Sequence, residues 1–369
     1  MGTLNDLSAK GTAVWLDFVD RKFLEAGGLQ KLVDEDSLSG VTSNPSIFEK
    51  AMGHGTAYDE TLAAYDKDHG GAATIDRYEH LAIQDIKAAA ETLRPVYDRL
   101  DSKDGYVSLE VSPYIADDTD ATITEAQKLW KAVDRPNLMI KIPGTLAGGP
   151  AISATIAAGI NVNVTLLFAV DAYIRVAEAY AAGLEERVRQ GQPIDRIASV
   201  ASFFVSRIDA VIDKKIDALG TDEAKALRGK VAIANAKMAY QWYLDFLKSD
   251  RWQALAAKGA QPQRLLWAST GVKDKAYKDT LYVDQLIGAD TVNTMPPATM
   301  DAFRERGTVG DTLTQNVDEA RHVMAEAERL GLDLTGVTDT LVEEGVASFA
   351  KAFDDLLGSI AKKQPATAA

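Results

Sequence analysis

A closed barrel of eight parallel strands wrapped by helices, a (β/α)8 TIM barrel with additional helices, is the α/β fold this sequence predicts. Three observations point to it. Short apolar runs alternate with longer amphipathic stretches, the pattern of βα units around a parallel sheet. About eight such runs can be counted, the number a closed barrel needs. No internal repeat and no Pro/Ser-rich linker interrupts the 369 residues. One domain spanning 1–369 is therefore expected, with C-terminal helices at about 314–361 packing on the barrel.

In chain order, the runs that read as strands are 13–19, 40–44, 106–112, 137–143, 160–168, 197–205, 264–270 and 290–295. The stretch 74–99 carries apolar residues at helical spacing. A helix over 122–132 follows Asp117-Asp118-Thr119-Asp120, where acidic residues suit a helix N-terminus. The alanine-rich stretch 171–190 ends in the turn Gly191-Gln192-Pro193, and Gly220 separates helices expected at 207–219 and 221–247. The last helical stretches are 317–330 and 339–361, and 362–369 reads as a frayed tail. Asp209 and Asp213, near Arg207, read as partners on a helix surface.

Bulk properties exclude several function classes. The chain is 46% hydrophobic and 25% charged, with a net charge of −14. A surface of that sign repels phosphate backbones and anionic lipid, so neither nucleic acid nor membrane is an expected partner. An anionic small substrate would need a local cationic pocket. With no cysteine, thiolate catalysis and zinc–thiolate sites are ruled out. The four histidines are scattered, so no metal is expected. Neither an apolar signal core nor a bilayer-length apolar run is present, and the expected address is the cytoplasm.

Three strands alternate in an unusual way. Val107, Leu109 and Val111 alternate with Ser108, Glu110 and Ser112. Leu138, Ile140 and Ile142 alternate with Asn137, Met139 and Lys141. Ile160, Val162, Val164 and Leu166 alternate with Asn161, Asn163 and Thr165. Successive strand side chains point to opposite faces. With the apolar set packed outward on helices, the polar set points into the lumen, which usually holds Val, Ile and Leu. That costs desolvation unless the polar groups satisfy one another or act on a ligand. An antiparallel sheet with one wet face would show the same alternation, but helical stretches between the strands argue against it.

Lys141 is the most informative residue in this set. Its own segment, Asn137-Leu138-Met139-Ile140-Lys141-Ile142-Pro143, offers it no acid partner. In a dry interior its ammonium would be disfavoured, leaving an amine able to attack a carbonyl. The alternative is a lysine at a strand end that snorkels to solvent. Other polar groups fall at strand ends, where barrel active sites lie. They are Asp17 after the first strand, Thr42-Ser43-Asn44-Pro45 after the second, Ser202, Phe204 and Arg207 around the sixth, and Ser269 and Lys273 after the seventh. An amine, two carboxylates, hydroxyls and cations suit carbonyl chemistry on a phosphorylated sugar.

Three segments together resemble the transaldolase family, in its longer bacterial form, within the class I Schiff-base aldolases. They are Gly40-Val41-Thr42-Ser43-Asn44-Pro45-Ser46-Ile47, Asn137-Leu138-Met139-Ile140-Lys141-Ile142-Pro143-Gly144-Thr145 and Ile160-Asn161-Val162-Asn163-Val164-Thr165-Leu166-Leu167-Phe168. The resemblance runs over roughly 14–293. It implies transfer of a dihydroxyacetone unit in the pentose phosphate pathway without a cofactor. The donor would be sedoheptulose 7-phosphate or fructose 6-phosphate, and the acceptor glyceraldehyde 3-phosphate or erythrose 4-phosphate. By the same resemblance Lys141 forms the Schiff base, Asp17 takes the proton from the C4 hydroxyl, and Glu110 is an acid/base working through a water also held by Thr165. Asn44 and Asn163 would bind substrate hydroxyls and the intermediate, Ser202 would contact substrate, and Phe204 would lie near the intermediate. Arg207 would bind phosphate. Many members supply a second arginine after an Ala-Ser pair. This chain reads Ala268-Ser269-Thr270-Gly271-Val272-Lys273, which makes Lys273 the shifted cation and Ser269 a further contact.

Two other readings stay open: a fructose 6-phosphate aldolase that releases free dihydroxyacetone, and a sugar-phosphate-binding barrel without turnover. A homodimer and a monomer are equally compatible with the sequence.

Overall fold

The computed structural model describes residues 2–363. The strands are β1 (Thr12–Leu16), β2 (Leu38–Val41), β3 (Tyr106–Glu110), β4 (Leu138–Pro143), β5 (Val162–Leu167), β6 (Ser199–Phe204), β7 (Arg264–Ala268) and β8 (Thr291–Met295). Neighbours are parallel, and β8 pairs with β1 to close the barrel in sequence order. The predicted (β/α)8 barrel is the observed one. Several expected strands run on too far at their C-terminal ends. At 17–19 and 42–44 the chain has left the ladder, and Asp17, Phe18, Thr42 and Asn44 line the mouth of the barrel instead of its wall.

The lumen is polar because hydrogen bonds cross it. Asn163 on β5 donates to Ser108 on β3 at 3.0 Å, with β4 lying between them. Lys141 on β4 reaches the Ser43 carbonyl beyond β2, with β3 between. Thr42 and Thr294 meet at 2.7 Å across β1. Side chains that skip a strand in this way must lie inside the cylinder. At the N-terminal end, buried Asp104 accepts from the Trp15 indole at 2.9 Å and Ser39 at 3.0 Å, and pairs with Arg264 at 3.2 Å. These bonds form a floor and hold Trp15 in place.

Helices cover the outside. Thr74–Arg99 forms as expected, and Thr119–Val133 begins where Asp118 caps the Ala121 amide at 2.9 Å. The single helix expected over 221–247 is instead broken into Asp222–Lys225 and Val231–Phe246. Gly229, at φ 67°, makes the turn between them, and its amide donates to Asp213. Asp209 and Asp213 are not surface partners. Both are buried on the helix Ser206–Leu219: Asp209 accepts from Tyr282 and the Ala232 amide, Asp213 from Tyr277 and Gly229. Their burial is tolerated because each oxygen is satisfied.

The last helix, Leu334–Lys362, starts earlier than expected, where Asp333 caps the Gly336 amide at 3.1 Å. It packs on helices Pro45–Met52, Thr74–Arg99 and Ser206–Leu219 and on β5, so it crosses the open end of the barrel. Of the tail expected at 362–369, Lys362 closes this helix and Lys363 bonds the Gly55 carbonyl and Asp59; the remainder lies outside the described residues.

Gly40 shows how closely the floor is packed. A Cβ built there would lie 2.2 Å from the Trp15 ring, which Asp104 holds in place. Gly40→Ala should therefore destabilise the fold by about 1–3 kcal/mol, as overpacked cores do. Urea denaturation checks this, and an unchanged midpoint would show that Trp15 is free to move.

Candidate active site

Lys141 is buried, with a side-chain exposure of 5%. The acid partner missing from its own segment comes from the neighbouring strand. The β3–β4 register sets Glu110 directly beside Lys141, and Glu110 Oε2 lies 3.0 Å from Lys141 Nζ. A second Nζ–H donates to the Ser43 carbonyl at 3.1 Å. The segment of Lys141 holds no acid partner, as its sequence shows, and the strand register that supplies one cannot be seen in that segment alone.

Two carboxylates face this amine in different surroundings. Burial raises Glu110 above the usual carboxyl range against the pull of Lys141, and the Asp17 charge adds to the rise. Burial also raises Asp17, opposed by Lys141, by the Thr42 hydrogen bond, and by the charges of Arg207 and Lys50. Thr42 donates to Asp17 at 2.7 Å, so the Thr294 hydroxyl must donate to Thr42 in turn. This relay was not anticipated for Thr42 and Thr294, since only closure of the barrel brings β8 beside the end of β2.

Thr165 is buried, and its hydroxyl has no hydrogen-bond partner among the described residues. Such a group is costly unless something else satisfies it, and unlike the other unpartnered buried atoms it lines the cleft, where a ligand or water can reach it. The ladder to β6 jumps here from Val164–Ala201 to Leu167–Phe203, and Leu166 takes φ 59°. This β-bulge kinks the strand immediately after Thr165, and bulges re-aim side chains beside active sites. Asn163 is occupied at both ends, donating to Ser108 and accepting from Ser202 at 2.7 Å. Ser202 lines the cleft and Asn163 stands behind it. Asn44 caps the helix Pro45–Met52 by accepting from the Ile47 amide, which turns its other side-chain end toward the cleft.

These groups surround a cleft of about 370 Å³ at the C-terminal ends of the strands, within the size range of small-molecule sites. Its outer wall is cationic. Arg207 lies over the Phe204 ring at 5.2 Å, at the start of the helix Ser206–Leu219. Burial holds Arg207 below its ordinary value, against the pull of Asp17 and Glu344. Lys273 is pushed down by partial burial and by Arg207, which places the two cations close together. Ser269, at φ 53°, lines the same wall, and its carbonyl accepts the Ser206 amide at 3.1 Å. Lys50, in the last turn of the helix Pro45–Met52, joins them from the opposite side. Among the described residues, Lys50, Arg207 and Lys273 have no acid partner in contact. Three unpaired cations on a chain of net charge −14 form the local anion site such a substrate requires.

The structure therefore brings Lys141, Asp17, Thr165, Asn44, Ser202, Phe204, Arg207, Ser269 and Lys273 to one cleft, with Glu110 bonded behind Lys141 and Asn163 behind Ser202. The lining residues that were missed include Lys50 and Phe349. Lys50 carries no local signal beyond its place in the last turn of the helix that Asn44 caps. Phe349 comes from the last helix, and its ring centre lies 5.6 Å from Lys141 Nζ; no local pattern connects the two.

The family model described as transaldolase/fructose-6-phosphate aldolase matches residues 14–360. A curated transaldolase of Thermobifida fusca is 49% identical over 361 residues, covering 98% of each chain. Transaldolase 2 of Streptomyces coelicolor is 50% identical over 357 residues, covering 96% of this chain and 95% of its own. Transaldolase 2 of a Nostoc species is 48% identical over 371 residues, covering 98% and 97%.

The raised Asp17 carboxyl has a consequence for stability. The unfolded chain gives up this proton first, so stability from this group is full below about pH 4 and is lost as pH rises through the folded value. Asp17→Asn should thus stabilise the fold by roughly 1 kcal/mol at pH 7, with the gain vanishing below about pH 4. Paired denaturation curves at the two pH values check this; a gain that grows toward acid would contradict it.

Proposed function

The chain belongs to the transaldolase and fructose 6-phosphate aldolase family, and from that premise we propose that Lys141 is its Schiff-base lysine, with Glu110 and Asp17 as two proton carriers of distinct task. The function is that of a transaldolase of the pentose phosphate pathway, a transferase. Its donors are sedoheptulose 7-phosphate or fructose 6-phosphate, its acceptors glyceraldehyde 3-phosphate or erythrose 4-phosphate.

The observation that carries the site assignment is the buried Lys141–Glu110 pair facing Asp17 beneath three unpaired cations. A lysine needs a free lone pair to attack a ketone. Glu110, raised by burial and 3.0 Å away, is placed to take the Nζ proton when the amine attacks. After attack at the donor C2, Glu110 returns a proton to the departing hydroxyl. Thr165 supplies the second hydrogen-bonding group for the water that carries it. Asp17 then removes the C4 hydroxyl proton as the C3–C4 bond breaks, and the electron pair flows into the protonated imine. Joining the acceptor aldehyde runs the same steps in reverse. Asn44 and Ser202 hold substrate hydroxyls, with Asn163 bracing Ser202. Arg207, Lys273, Ser269 and Lys50 hold phosphate, and Phe204 lines the path between the phosphate and the amine.

The names of the curated relatives favour transfer over simple aldol cleavage. Among the described residues no helix is long and apolar enough to cross a membrane. We place the activity in the cytoplasm, where phosphorylated sugars are turned over.

Borohydride added with fructose 6-phosphate should label Lys141 covalently and inactivate the enzyme, and Lys141→Ala should abolish both labelling and transfer. An active protein labelled elsewhere would reject the assignment. For the phosphate wall, Arg207→Ala should raise KM for donor roughly 10- to 100-fold, the value of a charge-assisted hydrogen bond. Exposed Lys50→Ala should raise it about two- to fivefold. Steady-state kinetics with fructose 6-phosphate and erythrose 4-phosphate distinguish these, and an unchanged KM in Arg207→Ala would remove that residue from the site.

A further inference from the structure

We propose that Phe349, on the helix Leu334–Lys362, is a specificity-determining residue that shields the enamine formed on Lys141 from protonation by water and so commits the enzyme to transfer instead of release of free dihydroxyacetone. This rests on the reading of Lys141 as the Schiff-base lysine.

Phe349 is 4% exposed, its ring centre lies 5.6 Å from Lys141 Nζ, and it lines the cleft with Asp17, Thr165 and Phe204. Its position is fixed on both sides along the helix. One turn earlier, Gly345 lets the helix approach β5 so closely that a Cβ there would lie 2.8 Å from Leu166. One turn later, Phe353 packs edge-on to Tyr78 at 5.3 Å and Tyr114 at 6.1 Å. At the end of the helix Arg77 donates to the Ile360 carbonyl at 3.0 Å and the Lys363 carbonyl at 2.7 Å. A strap anchored at these points holds an apolar ring over the one buried amine that reacts.

The chemistry gives that ring a task. Once the C3–C4 bond has broken, the Lys141 adduct is an enamine, nucleophilic at C3. In transfer, C3 attacks the acceptor aldehyde. In the competing path C3 takes a proton, water adds to C2 of the resulting iminium with loss of a proton, and the carbinolamine expels the Lys141 amine. The sum is enamine plus one water giving dihydroxyacetone plus free lysine. Both paths end with one water adding at C2 of an iminium, so they part only at C3, which takes the acceptor aldehyde in transfer and a proton in release; an apolar cover that bars proton-donating water from the enamine slows only the second.

Full-length Phe349→Ala and Phe349→Leu test the proposal. Each is given fructose 6-phosphate with and without erythrose 4-phosphate, and free dihydroxyacetone and sedoheptulose 7-phosphate are both measured. The ratio of dihydroxyacetone to transfer product should rise roughly tenfold or more in Phe349→Ala, and less in Phe349→Leu, which keeps most of the cover. If Phe349→Ala does not fold, the rise in Phe349→Leu is the deciding value. An unchanged ratio with an altered total rate would overturn the proposal and leave Phe349 a packing residue. Borohydride labelling of the unsubstituted enzyme tests the Schiff-base premise separately, since it can succeed whichever way the ratio moves.

Discussion

One ion pair between adjacent strands organises this molecule: Lys141 on β4 against Glu110 on β3, 3.0 Å apart in the barrel interior. Two buried charges cost more to desolvate than a surface pair gains, so such a pair is poor evidence for stability. Its value lies in proton transfer. Burial raises the glutamate, which favours its protonated form, and the 3.0 Å contact places it to exchange a proton with its partner. A hydrophobic replacement of similar volume would pack as well and would carry no chemistry.

Around that pair the lumen is filled by groups that bond across strands. Ser202, Asn163 and Ser108 form one chain, and Thr294, Thr42 and Asp17 form another. The Asp104 cluster with Trp15, Ser39 and Arg264 closes the opposite end. A satisfied polar network is rigid, and rigidity is what a constellation of two carboxylates and an amine needs to keep its geometry. The Thr165 hydroxyl, left without a protein partner, is the place where the network opens toward ligand.

The mouth of the barrel is assembled from distant parts of the chain. Lys50 enters from the helix after β2, Arg207 from the helix after β6, Lys273 from the loop after β7, and Phe349 from the final helix. The cations concentrate positive charge on one wall, and the aromatic ring covers the amine. The charge and the apolar cover thereby come from different elements.

The eight-stranded barrel and its inward polar face are legible in the sequence, and so are the residues proposed for the site. Strand alternation exposes Ser108, Glu110, Lys141, Asn163 and Thr165 to one side whatever the neighbours are, because side chains alternate with period two. The spacing of strand ends then collects Asp17, Asn44, Ser202 and Arg207 on one rim. Only the tertiary structure decided who touches whom. The partnership of Lys141 with Glu110 depends on the β3–β4 register, the Thr42–Thr294 contact on ring closure, and the bulge at Leu166 on the β5–β6 pairing. The burial of Asp209 and Asp213 required Tyr277 and Tyr282 to fold back over them, and Phe349 required a helix far along the chain to cross the barrel. Local pattern carries the direction of a side chain; contact between segments far apart in the chain is set by packing, which no window of sequence contains.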